Sequence, residues 1–132
     1  ILVGGGTYRA DNPVLDVRIA GLQDRAPERW ILSRGETPAG WQRIASPGEV
    51  GGMTANELLV EGGAQTAASF LRAGLVDRLL LYRAPILLGG GKPCLSDLGL
   101  ENLDSAHRNW SLLDTRMLGA DRMELYERVA AS

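Results

Sequence analysis

Short apolar runs bounded by glycine, proline or charged residues recur along the chain, a pattern typical of buried β-strands. The first run is residues 1–3, and it leads directly into three consecutive glycines. Residues 30–32 and 58–60 have the same character, and residues 41–45 are a further candidate. We therefore predict four short strands in the first half of the chain.

One segment changes to the period of a helix. Apolar or small residues recur at i, i+3, i+4, i+7 and i+11, namely at Ala64, Ala67, Ala68, Leu71 and Leu75. This spacing predicts an amphipathic helix that begins directly after the strand at 58–60 and packs a face of small residues against a sheet. Gly74 suits the left-handed residue that ends such a helix.

The C-terminal part is again strand-like. Residues 79–88 are largely apolar, with Pro85 predicting a bend or an exposed edge. Residues 110–118 and 123–129 flank Gly119, Ala120 and Asp121, a typical hairpin sequence. We therefore predict a strand followed by a closing antiparallel hairpin.

Three polar or glycine-rich stretches predict loops and turns. Residues 47–56 contain three glycines and no periodicity, so we predict a loop. Asp11, Asn12 and Pro13 favour a turn, because Asp and Asn bond local backbone and proline restricts the residue before it. Gly89–Gly91 predicts a hairpin turn, since the following Lys92 lacks the spacing of a phosphate-binding loop.

The order of these elements predicts an α/β or α+β sheet with antiparallel C-terminal strands. The length of 132 residues suits one domain, and no internal repeat or low-complexity tract divides it. The chain already begins inside an apolar strand and without an initiator Met, so we expect a domain truncated at its N-terminus.

Composition and charge narrow the possible functions. Hydrophobic residues make up 45% and charged residues 23% of the chain, which is too polar for a membrane span. The net charge of −2 provides no general attraction for nucleic acid or an anionic membrane, so we expect neither as a partner. The single cysteine, Cys94, excludes an internal disulfide and a multi-cysteine zinc site, and it favours a cytoplasmic location.

The strongest candidate site is the junction at residues 59–66. A strand ends at Glu61, two glycines follow, and the predicted helix starts at once. The free N–H groups and the positive dipole end of that helix favour a phosphate. A tight turn that needs glycine only for its dihedral angles is the alternative, but a carboxylate before the glycines has no obvious structural role there.

Other candidates are weaker. Gly5, Gly6 and Thr7 follow the first strand, and Ser33 and Arg34 follow the second. Each of these two segments fits an anion site or an ordinary turn. The only histidine, His107, lies in a polar stretch and is predicted to be a surface residue. No catalytic triad, metal-ligand spacing or Walker motif is present, so we expect no catalytic or metal-binding side chains of those types.

The combined motifs resemble a known family, the riboflavin-biosynthesis pyrimidine reductase, which is the C-terminal half of a bifunctional deaminase–reductase. The matching stretches are residues 1–13, 15–18, 58–64, 73–77 and 84–91. The resemblance implies a dihydrofolate-reductase-like fold: a three-layer α/β sandwich with a mixed central sheet. It makes residues 1–132 a single, partial reductase domain.

The resemblance also implies the reaction and the residues that serve it. The family reduces 5-amino-6-(5-phosphoribosylamino)uracil to its ribitylamino form with NADPH, and the cofactor supplies the hydride. By resemblance, the NADPH contacts are Thr7, Asp11, Ser33, Gly63, Ala64, Gln65, Thr66, Ala67, Ala68 and Ser69. The substrate contacts are Leu15, Arg18 and Glu61, with Arg18 suited to the ribose phosphate. We also hypothesise that Arg34 adds preference for the adenosine 2′-phosphate.

Two departures from the family keep alternatives open. Relatives have further elements before the position of Ile1, and a helix of about three turns before the strand at 58–60, for which residues 47–56 are too short and glycine-rich. The alternatives are a dihydrofolate-reductase-like reductase of another substrate and an inactive remnant that binds nucleotide or only dimerises. The C-terminal hairpin offers strand edges that could pair with a second copy, so we expect a homodimer.

Overall fold

The computed structural model describes residues 1–129, and its contacts divide the chain into two compact units. The first unit contains Ile1–Ala73 and Pro93–Leu98. The second contains Gly74–Lys92 and the chain from Gly99 onwards. The expectation of a single domain over residues 1–132 stays a prediction.

The first unit contains a parallel three-stranded sheet. Its strands are β1 (Leu2–Gly4), β2 (Trp30–Leu32) and β3 (Gln42–Ile44), in the order β1-β2-β3. Val60 makes one parallel bridge to Leu2, on the side of β1 away from β2. Strands were predicted at all four places, and only the segment at 58–60 is reduced to this single bridge.

Two helices accompany the sheet, α1 (Gly5–Asp11) and α2 (Ala64–Arg72). The α2 helix and the left-handed Gly74 after it, with φ +69°, confirm the prediction. Its buried residues are Thr66, Ala68 and Phe70, of which only Ala68 belongs to the predicted face. Ala64, Ala67 and Leu71 are only half-buried.

The core of the first unit lies between the parallel sheet and α2. The buried apolar side chains there come from β1, β2, β3 and α2: Leu2, Val3, Ile31, Ile44, Ala68 and Phe70. All three residues of β1 are buried, so both faces of this strand are covered, which explains why it is a continuous apolar run and not an alternating one.

The second unit contains an antiparallel sheet of β4 (Arg78–Arg83), β5 (Trp110–Leu118) and β6 (Asp121–Arg128), in the order β4-β6-β5. The β5–β6 hairpin confirms the prediction. Its two-residue loop has Gly119 at φ +66°, as the first central position of a type II′ turn requires. A β-bulge lies in β5 between Leu112 and Asp114.

The predicted α/β class is thus confirmed. Parallel and antiparallel strands are both present, and they form two separate three-stranded sheets. No helix among residues 1–129 has the length and apolar character needed to cross a membrane.

Four local predictions differ from the structure. The turn expected at Asp11–Pro13 is the end of α1, where Asn12 is left-handed with φ 41°. The loop expected at 47–56 contains a 3-10 helix, Pro47–Gly52, which begins with a proline. A proline fits there because the N–H that it lacks would have no partner in the first turn.

The long strand expected at 79–88 ends at Arg83, because Arg83 pairs with Arg122 at the start of β6 and no backbone partner continues beyond it. The glycines at 89–91 therefore do not form a hairpin turn. Gly89 and Gly91 have φ +67° and +139°, but the next strand in the chain is β5, which pairs with β6 and not with β4.

Candidate functional site

The start of α2 lies at the carboxyl edge of the parallel sheet. Val60 bridges β1, and the N–H of Glu61 donates to the carbonyl oxygen of Leu2 at 2.8 Å. Gly63 is the N-cap with extended backbone, and no side chain of the cap position or first turn closes the helix end. The first N–H groups of α2 have no intrahelical acceptor, so they point a partial positive charge out of this edge.

Thr7, in α1, is hydrogen-bonded to the residue that precedes α2. Its Oγ1 accepts a hydrogen bond from the N–H of Gly63 at 3.1 Å, although the residues are 56 positions apart. Because the oxygen is the acceptor, the hydroxyl hydrogen of Thr7 is available to donate to a ligand. The structure thus brings together two segments that the sequence analysis had proposed separately.

Thr66 holds α2 close to β1. Its side chain is 8% exposed and lies against two glycines. A Cβ on Gly4 would lie 2.1 Å from Thr66 Oγ1, and a Cβ on Gly62 would lie 2.9 Å from Thr66 Cβ. Both positions need glycine for this close approach, so the side chain of Thr66 faces the sheet and only its backbone is placed to meet a ligand.

The other predicted cofactor residues of α2 differ in exposure, because successive residues of a helix face different directions. Ala68 is buried beside Phe70, and Gln65 is exposed. Ser69 is half-buried, and its Oγ donates to the carbonyl oxygen of Thr66 at 2.7 Å. Of this segment, the N–H groups of Ala64 and Gln65 lie at the open end of the helix, whereas that of Gly63 donates to Thr7 Oγ1.

Ser33 lies at the same edge, directly after β2. Its N–H donates to the carbonyl oxygen of Ile44 at 3.0 Å, and its Oγ accepts from the N–H of Gly35 at 3.0 Å. A Cβ on Gly5 would lie 3.2 Å from Ser33 Oγ, so the Ser33 turn adjoins the first residue of α1. Thr7, Gly63 and Ser33 are therefore the three predicted cofactor residues whose contacts the structure brings to this one edge.

Glu61 is exposed, and its carboxylate makes no hydrogen bond or ion pair to any other residue in the part of the chain that the structure describes. The backbone of Glu61 is fixed by its bond to Leu2. A carboxylate of this kind, fixed at its base and free at its tip, can accept hydrogen bonds from hydroxyl or N–H groups of a ligand.

The remaining predicted residues are placed elsewhere. Asp11 is exposed at the end of α1. Leu15 has a left-handed backbone, with φ 52°, and lines a hollow of about 250 Å³ together with Val14, Asp16, Ala26, Pro27 and Arg29. Arg18 pairs with Asp16 at 3.4 Å on an exposed surface. Within residues 1–129, no hydrogen bond or ion pair joins Leu15 or Arg18 to Glu61.

Sequence reasoning missed two features of the site. It assigned no packing role to Gly4, because the demand for glycine comes from Thr66 on a distant helix. It also overlooked Arg43, whose Nη1 donates to the carbonyl oxygen of Ser33 at 3.2 Å. The signal in the sequence that could have indicated it is the polar Arg43 beside the apolar Ile44 in β3, which are exposed and buried in the structure.

One carboxyl near this edge has a shifted pKa. Hydrogen bonds from the backbone of Ala45 and the side chain of Ser46 lower the pKa of Glu49, and the charge of Arg43 adds a smaller effect in the same direction. Elsewhere His107 and Cys94 are exposed, as predicted for the histidine. No group of three potential metal-ligating side chains is found among the described residues.

Comparison with known proteins gives concordant matches. The family described as RibD C-terminal domain matches residues 49–123, more than half of the chain. The riboflavin biosynthesis protein RibD of Mycobacterium tuberculosis is 36% identical over 137 aligned positions, which cover 92% of this chain and 40% of that protein.

Solved structures match the fold at low identity. Acinetobacter baumannii RibD, form 1, has a TM-score of 0.77 at 22% identity, covering 98% of this chain and 46% of that one. A Thermotoga maritima diaminohydroxyphosphoribosylaminopyrimidine deaminase/5-amino-6-(5-phosphoribosylamino)uracil reductase has a TM-score of 0.64 at 17% identity, covering 97% and 44%. These matches confirm the predicted reductase-type fold, and the chain spans less than half the length of these relatives.

Proposed function

The chain belongs to the RibD C-terminal domain family, and we propose that it is the reductase portion of a riboflavin-biosynthesis enzyme. In this proposal it reduces 5-amino-6-(5-phosphoribosylamino)uracil to 5-amino-6-(5-phosphoribitylamino)uracil with NADPH. The observation that carries the proposal is the open start of α2, which is fixed beside Thr7 at the carboxyl edge of the parallel sheet. Such an edge is where open α/β sheets bind their ligands.

The residues at this edge fit the diphosphate of a dinucleotide. The N–H groups of Ala64 and Gln65 donate to phosphate oxygens, and the dipole of α2 favours the negative charge of the phosphate. Thr7 supports the loop through its bond to Gly63 and offers its own hydroxyl hydrogen. When bound, NADPH supplies the hydride, while the chain holds and orients the two reactants.

Three residues serve the substrate in this proposal. The free carboxylate of Glu61 accepts hydrogen bonds from hydroxyl or ring N–H groups, and Leu15 contributes an apolar contact. Arg18 holds the ribose phosphate, for which it must release Asp16. Both side chains of that ion pair are more than half exposed, 84% and 52%, so the exchange costs little.

A pair of substitutions at Thr7 tests the cofactor site. Thr7→Val keeps the shape of the side chain and removes the hydroxyl, whereas Thr7→Ser keeps the hydroxyl. We expect Thr7→Val to weaken NADPH binding about tenfold, the value of one lost hydrogen bond to a charged group, and Thr7→Ser to change it little. Titration by cofactor fluorescence measures both, and an equal effect of the two variants would argue against the assigned role.

Turnover identifies the substrate. NADPH oxidation is followed with the phosphoribosylaminopyrimidine and, in parallel, with dihydrofolate. Oxidation that depends on the aminopyrimidine supports the proposal. Turnover of dihydrofolate alone favours a related reductase with another substrate, and NADPH binding with no turnover of either favours an inactive nucleotide-binding domain.

We also propose that the protein is a cytoplasmic homodimer. In the order β4-β6-β5, the strands β4 and β5 are the edges of the antiparallel sheet. Exposed apolar side chains lie along β5: Leu112 is 53%, Met117 65% and Leu118 51% exposed. Unpaired edges with apolar side chains favour association. Light scattering tests this: a dimer that Met117→Lys converts to monomer supports the proposal, and a monomeric wild type contradicts it.

A further inference from the structure

A short segment of the chain, Pro93–Leu98, lies against helix α2. It has no regular secondary structure, and it groups with the first unit, although the residues directly before and after it belong to the second. Two hydrogen bonds hold it on the helix. The N–H of Ser96 donates to the carbonyl oxygen of Ala64 at 3.1 Å, and Arg72 Nη1 donates to the carbonyl oxygen of Asp97. We call Pro93–Leu98 the α2 strap.

The α2 strap has few other attachments. Leu95 and Leu98 are only half-buried. Residues with left-handed backbone lie on both sides of it, since Gly89 and Gly91 have φ +67° and +139° and Gly99 has φ +71°. A segment with so little buried apolar surface opens locally at low cost. Its two hydrogen bonds to α2 therefore decide how firmly it is held.

The bond from Ser96 acts on a peptide group that also faces the candidate cofactor site. The carbonyl of Ala64 and the N–H of Gln65 belong to one planar trans peptide, in which the two groups point in opposite directions. Holding the carbonyl oxygen therefore fixes the direction of the Gln65 N–H, which lies at the open end of α2. A hydrogen bond to the carbonyl also polarises the peptide and makes its N–H a stronger donor.

Arg72 holds the α2 strap from the other end of the helix. It is the last residue of α2, and helical side chains point back towards the N-terminus of their helix. This direction allows its guanidinium to reach the carbonyl oxygen of Asp97, the residue next to Ser96. The two bonds thus fix neighbouring residues of the strap.

We propose that the α2 strap positions the Gln65 N–H for the diphosphate of the cofactor, with Ser96 and Arg72 as the positioning residues. This inference rests on the proposed function, and it extends the cofactor site to residues that do not touch the ligand. Coupling between two binding events is reciprocal. A diphosphate bound at the Gln65 N–H therefore strengthens the bond between Ser96 and Ala64, and the cofactor in turn stabilises the strap.

Removing the N–H of Ser96 tests this role. Ser96→Pro lacks the donor, whereas Ser96→Ala keeps it and loses only the hydroxyl. We expect Ser96→Pro to raise the Kd about fivefold, as for one lost hydrogen bond, and Ser96→Ala to leave it nearly unchanged. NADPH and NADH should be affected alike, because both contain the diphosphate. An unchanged Kd in Ser96→Pro, or an equal rise in Ser96→Ala, would overturn the inference.

Substitutions of Arg72 test the α2 strap without changing its backbone. Arg72→Met keeps a long side chain and removes the donors, whereas Arg72→Lys keeps a donor. Arg72→Met should raise the Kd about two- to threefold, and Arg72→Lys should restore most of the affinity. Arg25→Gln, at an exposed arginine away from the strap, is the control and should change nothing.

The double variant shows whether the two positions act through the same segment. Arg72→Met should weaken binding no further when Ser96→Pro is already present, because both act through the α2 strap. If the two effects multiply, Arg72 acts independently of the strap, and its positioning role is refuted.

Hydrogen exchange separates positioning from overall stability. NADPH should slow exchange of the Ser96 amide more than that of the Met53 amide, which donates to the carbonyl oxygen of Val50 at 3.0 Å, away from α2. Equal slowing of the two amides would mean that the cofactor only stabilises the first unit as a whole, and it would refute the coupling.

Inorganic pyrophosphate keeps the test distinct from the proposed function. If the wild type binds pyrophosphate and neither dinucleotide, the proposed function fails, and weaker pyrophosphate binding by Ser96→Pro than by Ser96→Ala still supports the strap. If NADPH binds equally to wild type and Ser96→Pro, the strap fails and the proposed function stands. A wild type that binds neither pyrophosphate nor dinucleotide overturns both.

Discussion

Replacing Gly4 with alanine tests how closely α2 is packed on β1. The added Cβ would lie 2.1 Å from Thr66 Oγ1 and 3.3 Å from Thr66 Cβ. The first distance is far inside van der Waals contact. Gly4 itself is buried at the end of β1, and Thr66 is buried on the helix, so neither side can move into solvent.

The cost follows from overpacking of a close-packed interior. Inserting a methyl group where none fits costs about 1–3 kcal/mol. Because the clash involves a buried side chain on each element, we expect a value near the middle, about 2 kcal/mol, and a fall in Tm of roughly 5–10 °C for a chain of this size.

Urea unfolding followed by circular dichroism measures the effect, with two further variants. Gly6→Ala is the control: Gly6 lies two residues further along, in α1, with nothing within 4 Å of its Cβ position. It should be neutral or stabilise by up to about 1 kcal/mol, because alanine favours the helix. Thr66→Ala removes the clashing oxygen and should make Gly4→Ala much less costly when combined with it.

The reasoning is refuted if Gly4→Ala unfolds at the same urea concentration as the wild type. It is also refuted if the double variant loses the sum of the two single effects, because additivity would mean that Gly4 and Thr66 do not interact.

Further substitutions test the second unit and the pH response. Glu124, only 6% exposed, accepts a hydrogen bond from Arg83 at 3.1 Å and forms an ion pair with Arg122 at 3.4 Å. Glu124→Ala should cost about 1–2 kcal/mol in urea unfolding, less than the loss of a fully buried partner, because both arginines are half exposed. Arg83→Ala should cost less. Gly119→Val should destabilise by about 1 kcal/mol because of the positive φ, whereas Gly119→Asn should cost less; equal Tm values for the two would contradict this. The lowered pKa of Glu49 contributes stability above its unfolded pKa that is lost as the pH falls through the folded value. The urea midpoints of wild type and Glu49→Gln should therefore converge on acidification, and a constant difference would argue against it.

The elements that the sequence predicted well carry their signal locally. Trp30–Leu32 is an apolar run between polar neighbours, and its strand was predicted with the observed bounds. The hairpin turn at Gly119 and the end of α2 near Gly74 each depend on one residue with a positive φ. In these cases the backbone preference and the final structure agree, so a single sequence suffices.

Helix α1 shows where local reasoning fails. Gly5 and Gly6 open the helix although glycine is a poor helix former, and their sequence favours a turn. Gly5 is buried against Ser33, where a Cβ would lie 3.2 Å from Ser33 Oγ. The helix therefore forms because its first turn packs on β2, a contact that no window of neighbouring residues contains.

The candidate site was predictable in its parts and not in its assembly. The strand, glycines and helix at 59–66 are a local pattern and were identified from the sequence. The bond from Gly63 to Thr7 spans 56 residues, and the approach of Arg43 to Ser33 depends on strand order. Both are consequences of tertiary pairing, for which the sequence of each segment gives no direct signal.

The central position of β6 has a consequence for how the protein is made. Asp121–Arg128 lies between β4 and β5, so both ladders of this sheet depend on the strand that is synthesised last of the three. Until those residues emerge, β4 and β5 have no partner, and their apolar side chains are open to chaperones and to other nascent chains. A premature stop codon before position 121 would therefore remove the whole second sheet, and not merely one strand of it.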